Sequence, residues 1–311
     1  MSFTTEVKSE IGQNRLNDCC IKAQLAALIQ LCSTIVINNK GMSLIIKIEN
    51  ATTAKRIWKL VKDSYDAEME LSVLKKMNLK KNNIYIIKII TKVKYILDDL
   101  NLLIDNKLQD HPSFRLVRKE CCARAYLAGA FMASGSANSP TKSNYHLEIA
   151  TLDVNHAIYI QKLMKRFELP AKYIQRRNQH VVYLKASEKI SDFLRCVGAY
   201  NAVMNFEDMR IQRDFRNSLT RLDNCEVANE MKTMRAGKKQ LEDIVLLEKY
   251  GKMTYLDKKL QEVAELRKLL PEASLNDLCG EYEKQFGISI SKSGMKHRLA
   301  KLAELAAKLS D

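Results

Sequence analysis

Apolar and polar positions alternate along this chain in two different rhythms, and the change of rhythm divides it. Up to about residue 200, helical three-to-four spacing and strand-like alternation take turns. Beyond Tyr200 only the helical spacing remains. The first part opens with a short lead-in helix within residues 1–17. A helix follows over about Cys19–Cys32, with Asp18 as its expected N-cap. Ser33–Asn38 and Met42–Glu49 are apolar runs on either side of Asn39-Lys40-Gly41, which predicts a β-hairpin. Thr52–Ser64 places Ile57, Leu60 and Val61 on one helical face. Strands near Ala67–Leu79 and Ile84–Ile90 flank a turn at Lys80-Lys81-Asn82-Asn83, and Val93–Leu103 closes the half as a helix.

A polar connector, Asp105–Phe114, contains Pro112, and then the pattern restarts. Helix is expected over Arg118–Ala133, a turn-rich segment over Gly135–Asn144, and a strand over Tyr145–Ala150. A helix capped by Asp153 runs to Phe167. The strands Lys172–Arg176 and His180–Lys185 and the helix Glu188–Val197 complete the half. The restart is visible residue by residue. Cys121-Cys122-Ala-Arg-Ala-Tyr-Leu-Ala-Gly-Ala-Phe repeats Cys19-Cys20-Ile-Lys-Ala-Gln-Leu-Ala-Ala-Leu-Ile about a hundred residues later. Cys19/Cys121, Cys20/Cys122, Ala23/Ala125, Leu25/Leu127 and Ala26/Ala128 are identical pairs in one register. Repetition on this scale implies two structural copies, and the small residues suit two helices packed backbone to backbone.

After Tyr200 the pattern predicts helices over Ala202–Arg216 and Leu219–Ala236. Four more follow, near Leu241–Tyr250, Leu256–Leu270, Leu275–Phe286 and Lys292–Leu309. Ser274 and Ser291 are expected N-caps, Pro271 a stop and Gly287 a break. In the last helix Met295, Leu299, Leu302 and Leu305 form one apolar face. The other face begins with Lys292, Ser293, Lys296, His297 and Arg298 and meets no acid until Glu304. A helix, a short glycine-containing turn and a helix with a basic N-terminal half make a helix-turn-helix. In that arrangement the first turns of the second helix enter the major groove of duplex DNA. Arg213, Arg216, Arg221 and Lys232, on the helix before this region, are candidates for phosphate contacts.

Composition narrows the picture. A net charge of +15 points to a polyanionic partner, and regional counts put +9 in residues 1–170, +4 in 171–235 and +2 in 236–311. No apolar run approaches the roughly 18 residues of a membrane span, and no secretory leader opens the chain, so a cytosolic protein without membrane contact is expected. The eight cysteines contain no Cys-x-x-Cys. Their spacing along the chain argues against disulfides and against metal, leaving them as small buried apolar residues with no cofactor expected. Phosphate-binding, zinc-protease and nucleophile-elbow motifs are absent.

Leu25–Ser33 and Leu127–Gly135 resemble the LAGLIDADG motif of homing endonucleases. That resemblance implies two motif helices at a pseudo-twofold seam beneath a saddle of strands, with an acid at the eighth motif position holding the catalytic metal. Here those positions are Cys32 and Ser134, and neither a thiol nor a lone hydroxyl replaces a carboxylate for a hard cation. Asp18 and Glu120 lie fourteen residues upstream, about 21 Å away on a helix. Catalytic residues are therefore expected to be none.

Across essentially its full length the chain resembles the WhiA family of bacterial transcription regulators. The resemblance is carried by Cys121–Phe131, Tyr183-Leu184-Lys185, Arg216-Asn217, Arg221–Cys225, Ala228-Asn229, Ser291–Gly294 and His297-Arg298. It implies an α+β N-terminal domain of two pseudo-symmetric LAGLIDADG-like repeats, each helix-strands-helix-strands-helix, followed by an all-α helix-turn-helix domain. The expected boundaries are 1–104 for the first repeat with its lead-in, 105–117 for a linker and 118–200 for the second repeat. A helical linker at 201–237 and the helix-turn-helix domain at 238–311 complete the chain. The implied function is non-catalytic, DNA-binding regulation tied to cell division, chromosome segregation or sporulation, in the cytoplasm at the nucleoid. The partners would be double-stranded DNA and a regulatory protein bound through the LAGLIDADG-like domain. A DNA-binding scaffold with little sequence preference stays open as an alternative, and a metal-dependent nuclease is the remote one.

Overall fold

In a computed structural model, residues 2–39, 41–75, 83–142 and 144–309 are described. The sequence repeat appears as a repeat of topology. The first copy contains α2 (Asp18–Cys32), β1 (Ser33–Asn38), β2 (Gly41–Ile48), α3 (Ala51–Tyr65), β3 (Met69–Lys75), β4 (Asn83–Ile89) and α4 (Val93–Asp99), after the lead-in α1 (Phe3–Gln13). Two short strands, β5 (Leu103–Ile104) and β6 (Lys107–Leu108), follow. The second copy contains α5 (Glu120–Ser134), β7 (Gly135–Ala137), β8 (Leu147–Thr151), α6 (Val154–Arg166), β9 (Lys172–Arg176), β10 (Gln179–Leu184) and α7 (Ser187–Cys196). The two sheets have the same strand order, β1-β2-β4-β3 and β7-β8-β10-β9, and every pairing is antiparallel.

Strand alternation sets which face is buried. Leu44, Ile46, Ile87 and Ile89 of the first sheet, and Leu147, Ile149, Val182 and Leu184 of the second, point into one shared core. The seam of that core is α2 against α5. Ala23, Ala26 and Ala27 meet Ala125, Ala130 and Gly129, all residues of small volume, so the helix backbones can approach closely. Arg56 ties the lead-in to the seam. Its guanidinium donates to Gln24 Oε1 at 2.8 Å, to Gly12 O at 3.2 Å and to Asn14 O at 2.9 Å.

Several boundaries differ from the sequence reading. The N-cap of α2 is Asn17, so Asp18 becomes the first helical residue and adds a negative charge at the positive end of the helix dipole. The helix expected over Val93–Leu103 stops at Asp99, because Asn101, at φ 55°, turns the chain into the β5–β6 hairpin. Gly135–Ala137, expected within a turn-rich segment, pairs with β8 as an edge strand. Most of the expected turn Lys80–Asn83, and Lys40 of the first hairpin, lie outside the described residues.

Asp153 caps α6 as expected, its Oδ1 accepting from His156 N at 2.9 Å. His156 itself is 1% exposed, with Tyr126 Oη 2.8 Å from Nε2 and Thr151 Oγ1 3.3 Å from Nδ1. Burial, and secondarily His111, lowers its pKa from 6.5 to about 4. The folded chain therefore binds fewer protons than the unfolded chain between those values, and stability falls as pH drops through that window. Urea melts should show a loss of about 2–3 kcal/mol between pH 7 and pH 4 from this residue. His156→Gln should flatten that slope, and an unchanged slope would disprove the assignment.

The chain divides into two compact units, Met1–Arg213 and Asp214–Asp311, and α8 (Tyr200–Lys249) starts in the first and ends in the second. Where the sequence suggested three helices there is one, since no proline or glycine interrupts residues 200–236. In the second unit α9 (Lys258–Leu269), α10 (Leu275–Phe286) and α11 (Lys292–Ala307) pack on the end of α8. Their core is Ile244, Leu247, Val263, Leu266, Leu278, Tyr282, Met295, Leu299 and Leu302.

Candidate nucleic-acid interface

The geometry of α10 and α11 follows from their caps. Ser274 Oγ accepts from Asp277 N at 3.2 Å while Asp277 Oδ2 accepts from Ser274 N at 3.0 Å, a reciprocal capping box. Gly287 ends α10 at φ 70°, a left-handed conformation that glycine adopts without steric cost. Ser291 Oγ then accepts from Gly294 N at 3.1 Å and starts α11. Met295, Leu299 and Leu302 face the core as expected; Leu305 packs against it half-buried, and Ala306 joins the same face.

On the opposite side Lys292, Ser293, Lys296 and His297 are all exposed in the first turn and a half of α11. This brings three basic or titratable side chains and a hydroxyl onto one helix start, where backbone amides favour anions. Arg298, expected beside them, turns inward. Its Nη1 donates to Tyr282 Oη at 2.8 Å, its guanidinium lies 5.2 Å from the Tyr282 ring centroid, and Tyr282 Oη donates to Glu262 Oε2 at 2.5 Å. Arg298 thus braces α11 to α10 and, through Tyr282, to α9. The signal was its place next to Leu299 at the rim of the apolar face. Arg298→Ala should cost the second unit about 1.5–3 kcal/mol, read by denaturation, whereas Lys296→Ala should leave its stability within about 0.5 kcal/mol.

Of the candidate phosphate contacts, Arg216, Arg221 and Lys232 are exposed on α8. Arg213 is engaged within the first unit. Its Nη1 donates to Lys142 O at 2.8 Å and its guanidinium stacks 3.9 Å from the Tyr145 ring centroid. A patch the sequence reading missed lies beside it on the solvent face of the second sheet. There His146, Arg176, Tyr183 and Lys185 border a cleft of about 680 Å³. Glu148 partly neutralises it, at 2.8 Å from His146 and 3.6 Å from Arg176. Strand alternation at Tyr183 and Lys185 was the available signal.

Cys32 and Ser134 are the last residues of α2 and α5, at the ends of the two motif helices. Ser134 Oγ is buried without a hydrogen-bond partner. Burial pushes the Cys32 thiol up to about 12, so it stays protonated and neutral at neutral pH. Lys8 of α1 is its electrostatic neighbour and stacks 5.9 Å from the Phe131 ring centroid. Burial lowers the Lys8 pKa to about 8. A lysine beside a neutral thiol is poor chemistry for a hard divalent cation, which seeks carboxylate oxygen.

The cysteine reading from spacing needs correction. The packing of α2 on α5 joins Cys19, Cys20, Cys121 and Cys122 into one cluster, with all four sulfurs within 4.8 Å of one another. Cys20 and Cys122 are buried as expected, but Cys121 is exposed. Linear spacing cannot show this, because the two pairs belong to different repeats.

Comparison with known proteins agrees with this architecture. Residues 18–103 match the WhiA N-terminal LAGLIDADG-like domain, 123–216 the WhiA LAGLIDADG-like domain and 219–306 the WhiA C-terminal HTH domain. Two relatives, each named probable cell division protein WhiA, come from Bacillus cereus (strain B4264) and Bacillus licheniformis. They are 44% and 45% identical over 310 residues, which is 99% of this chain and 97% of each relative. The crystal structure of full-length DUF199/WhiA from Thermatoga maritima superposes with a TM-score of 0.59 at 20% identity, covering both chains completely. A structure of the N-terminal LAGLIDADG domain of DUF199/WhiA matches with a TM-score of 0.51 at 22% identity, over 63% of this chain and 90% of that one. Two LAGLIDADG-like domains followed by the C-terminal HTH domain match in order along the chain, and the chain belongs to the WhiA family.

Proposed function

We propose that the chain is a non-catalytic, sequence-specific DNA-binding regulator that acts in cell division. The observation that carries this is the capped start of α11, which presents Lys292, Ser293, Lys296 and His297 to solvent with no acid among them. Inserted in a major groove, these residues supply donors for base edges, and the helix N-terminus meets phosphate. Arg216, Arg221 and Lys232 add phosphate contacts, while Arg213 serves chiefly to hold the loop at Lys142. The link to cell division rests on the names of the relatives.

The loss of carboxylates at Cys32 and Ser134, with Lys8 beside Cys32, supports the absence of nuclease chemistry. Among the described residues no helix is long and apolar enough to cross a membrane, and we place the protein in the cytoplasm at the nucleoid. A second role, binding a regulatory protein through the LAGLIDADG-like unit, is favoured by one observation. Ile37, Leu71 and Val73, on one face of the first sheet, are 74%, 53% and 47% exposed, unsuited to a phosphate backbone.

A gel-shift assay on genomic fragments in Mg²⁺ tests the reading. It should retain a few fragments against excess random DNA and leave every fragment intact. Uniform retention would favour the scaffold alternative, and cleavage abolished by EDTA would reinstate a nuclease.

A further inference from the structure

The four-cysteine cluster at the head of the motif seam takes no part in the proposed DNA contacts. Cys19 and Cys20 are the second and third residues of α2, and Cys121 and Cys122 hold the same places in α5. The repeat therefore delivers two thiols from each copy to one point. The sulfurs of Cys19 and Cys20 are 4.0 Å apart, those of Cys121 and Cys122 are 3.9 Å apart, and all four lie within 4.8 Å of one another. Disulfide sulfurs sit at about 2.05 Å, and all four thiols are free. In a tetrahedron of zinc–sulfur bonds of about 2.3 Å, the sulfurs stand about 3.8 Å apart. The cluster is close to that spacing.

We propose that Cys19, Cys20, Cys121 and Cys122 bind one thiophilic divalent cation, zinc by its preference for tetrahedral thiolate, and that this ion pins the two motif helices together at their N-terminal ends.

Three independent features support the site. The first turns of two helices converge there, so the positive ends of both dipoles face the thiolates. Neither N-cap competes for the free amides, since Asn17 and Lys119 make no side-chain cap hydrogen bond. Access is open through a cleft of about 360 Å³ whose lining includes Cys20, Cys121, Arg15 and Arg124. Arg15 offsets part of the double negative charge of a tetrathiolate zinc centre, whereas Arg124 is paired with Glu120. Binding converts four thiols and Zn²⁺ into one tetrathiolate centre and releases the four thiol protons to solvent, with no change of oxidation state.

The test uses the full chain, reduced and stripped by chelator, and Co²⁺ as a spectroscopic substitute. One Co²⁺ per chain should produce the intense visible and near-ultraviolet bands of a tetrahedral tetrathiolate, and one Zn²⁺ should displace it. Cys121→Ser, at an exposed position, should keep the fold by circular dichroism. It should also weaken metal binding at least about 100-fold, more than an outer-shell change does. Cys225→Ser, a thiol outside the cluster, should bind as the parent does. Weak octahedral cobalt colour, unaltered affinity in Cys121→Ser, or a chain that forms disulfides among these cysteines and takes up no metal would each overturn the proposal.

Discussion

Arg267→Ala should destabilise the second unit by about 3–4 kcal/mol, the largest loss expected from a single substitution there. Arg267 is 2% exposed, and burial lowers its pKa. Its Nη1 donates to Leu270 O and Pro271 O at 3.3 Å each and to Ala273 O at 2.8 Å. These carbonyls belong to the turn between α9 and α10, where Pro271 prevents the helix from continuing. One guanidinium thus satisfies a backbone that neither helix can. Gly237 of α8 approaches the same turn so closely that a Cβ there would collide with Pro271 O. Alanine at 267 would strand the carbonyls and open a cavity beside Gly237. A loss of this size is a large share of a typical domain's stability of about 5–15 kcal/mol. The chain has one tryptophan, Trp58, in α3 of the first unit. Arg267→Ala should therefore lower the midpoint for loss of helical circular dichroism while the Trp58 fluorescence transition stays in place. A shift in Trp58 alone would refute this.

Gly129→Ala should destabilise the first unit by about 2–3 kcal/mol, against the trend of helix propensity. In an open helix the change gains about 1 kcal/mol. At Gly129 a Cβ would lie 2.5 Å from Gln24 O and 3.0 Å from Ala27 Cβ. The first obstacle is backbone of the partner helix and cannot rotate away, so α2 and α5 must separate along the seam. Gly280, on α10, has nothing within 4 Å of a built Cβ. Gly280→Ala should follow propensity and stabilise its unit by about 0.5–1 kcal/mol. Here Trp58 fluorescence is the direct probe, and its transition should move for Gly129→Ala but not for Gly280→Ala. Equal and positive effects of both would mean that the seam is looser than described.

The two-copy architecture was legible in the internal repeat alone, because small residues at matched spacing encode a close helix seam. Strand alternation likewise announced both sheets, and Ser274 and Ser291 marked the helix starts that aim α11. Other features depend on partners distant in sequence. Gly135–Ala137 carries no alternation of its own and becomes a strand only by pairing with Leu147–Ile149. The inward turn of Arg298 depends on Tyr282, sixteen residues away. The cysteine cluster depends on two helices separated by most of a repeat, and the spacing within each pair gave no hint of it. Residue types at the seam and on α11 were readable because each rests on a local periodicity; neighbourhoods assembled by tertiary packing were not.

In the proposed complex the exposed start of α11 reads base sequence. The most direct test of this is the affinity of Lys296→Ala and His297→Ala, measured across a salt series on a selected genomic site and on random duplex. A base-reading residue should lose about 1–3 kcal/mol on the selected site with little change on random DNA. Arg221→Ala should instead weaken both and lower the salt slope by about one. Equal losses on both DNAs for Lys296→Ala and His297→Ala would contradict the claim and leave α11 a phosphate-binding helix.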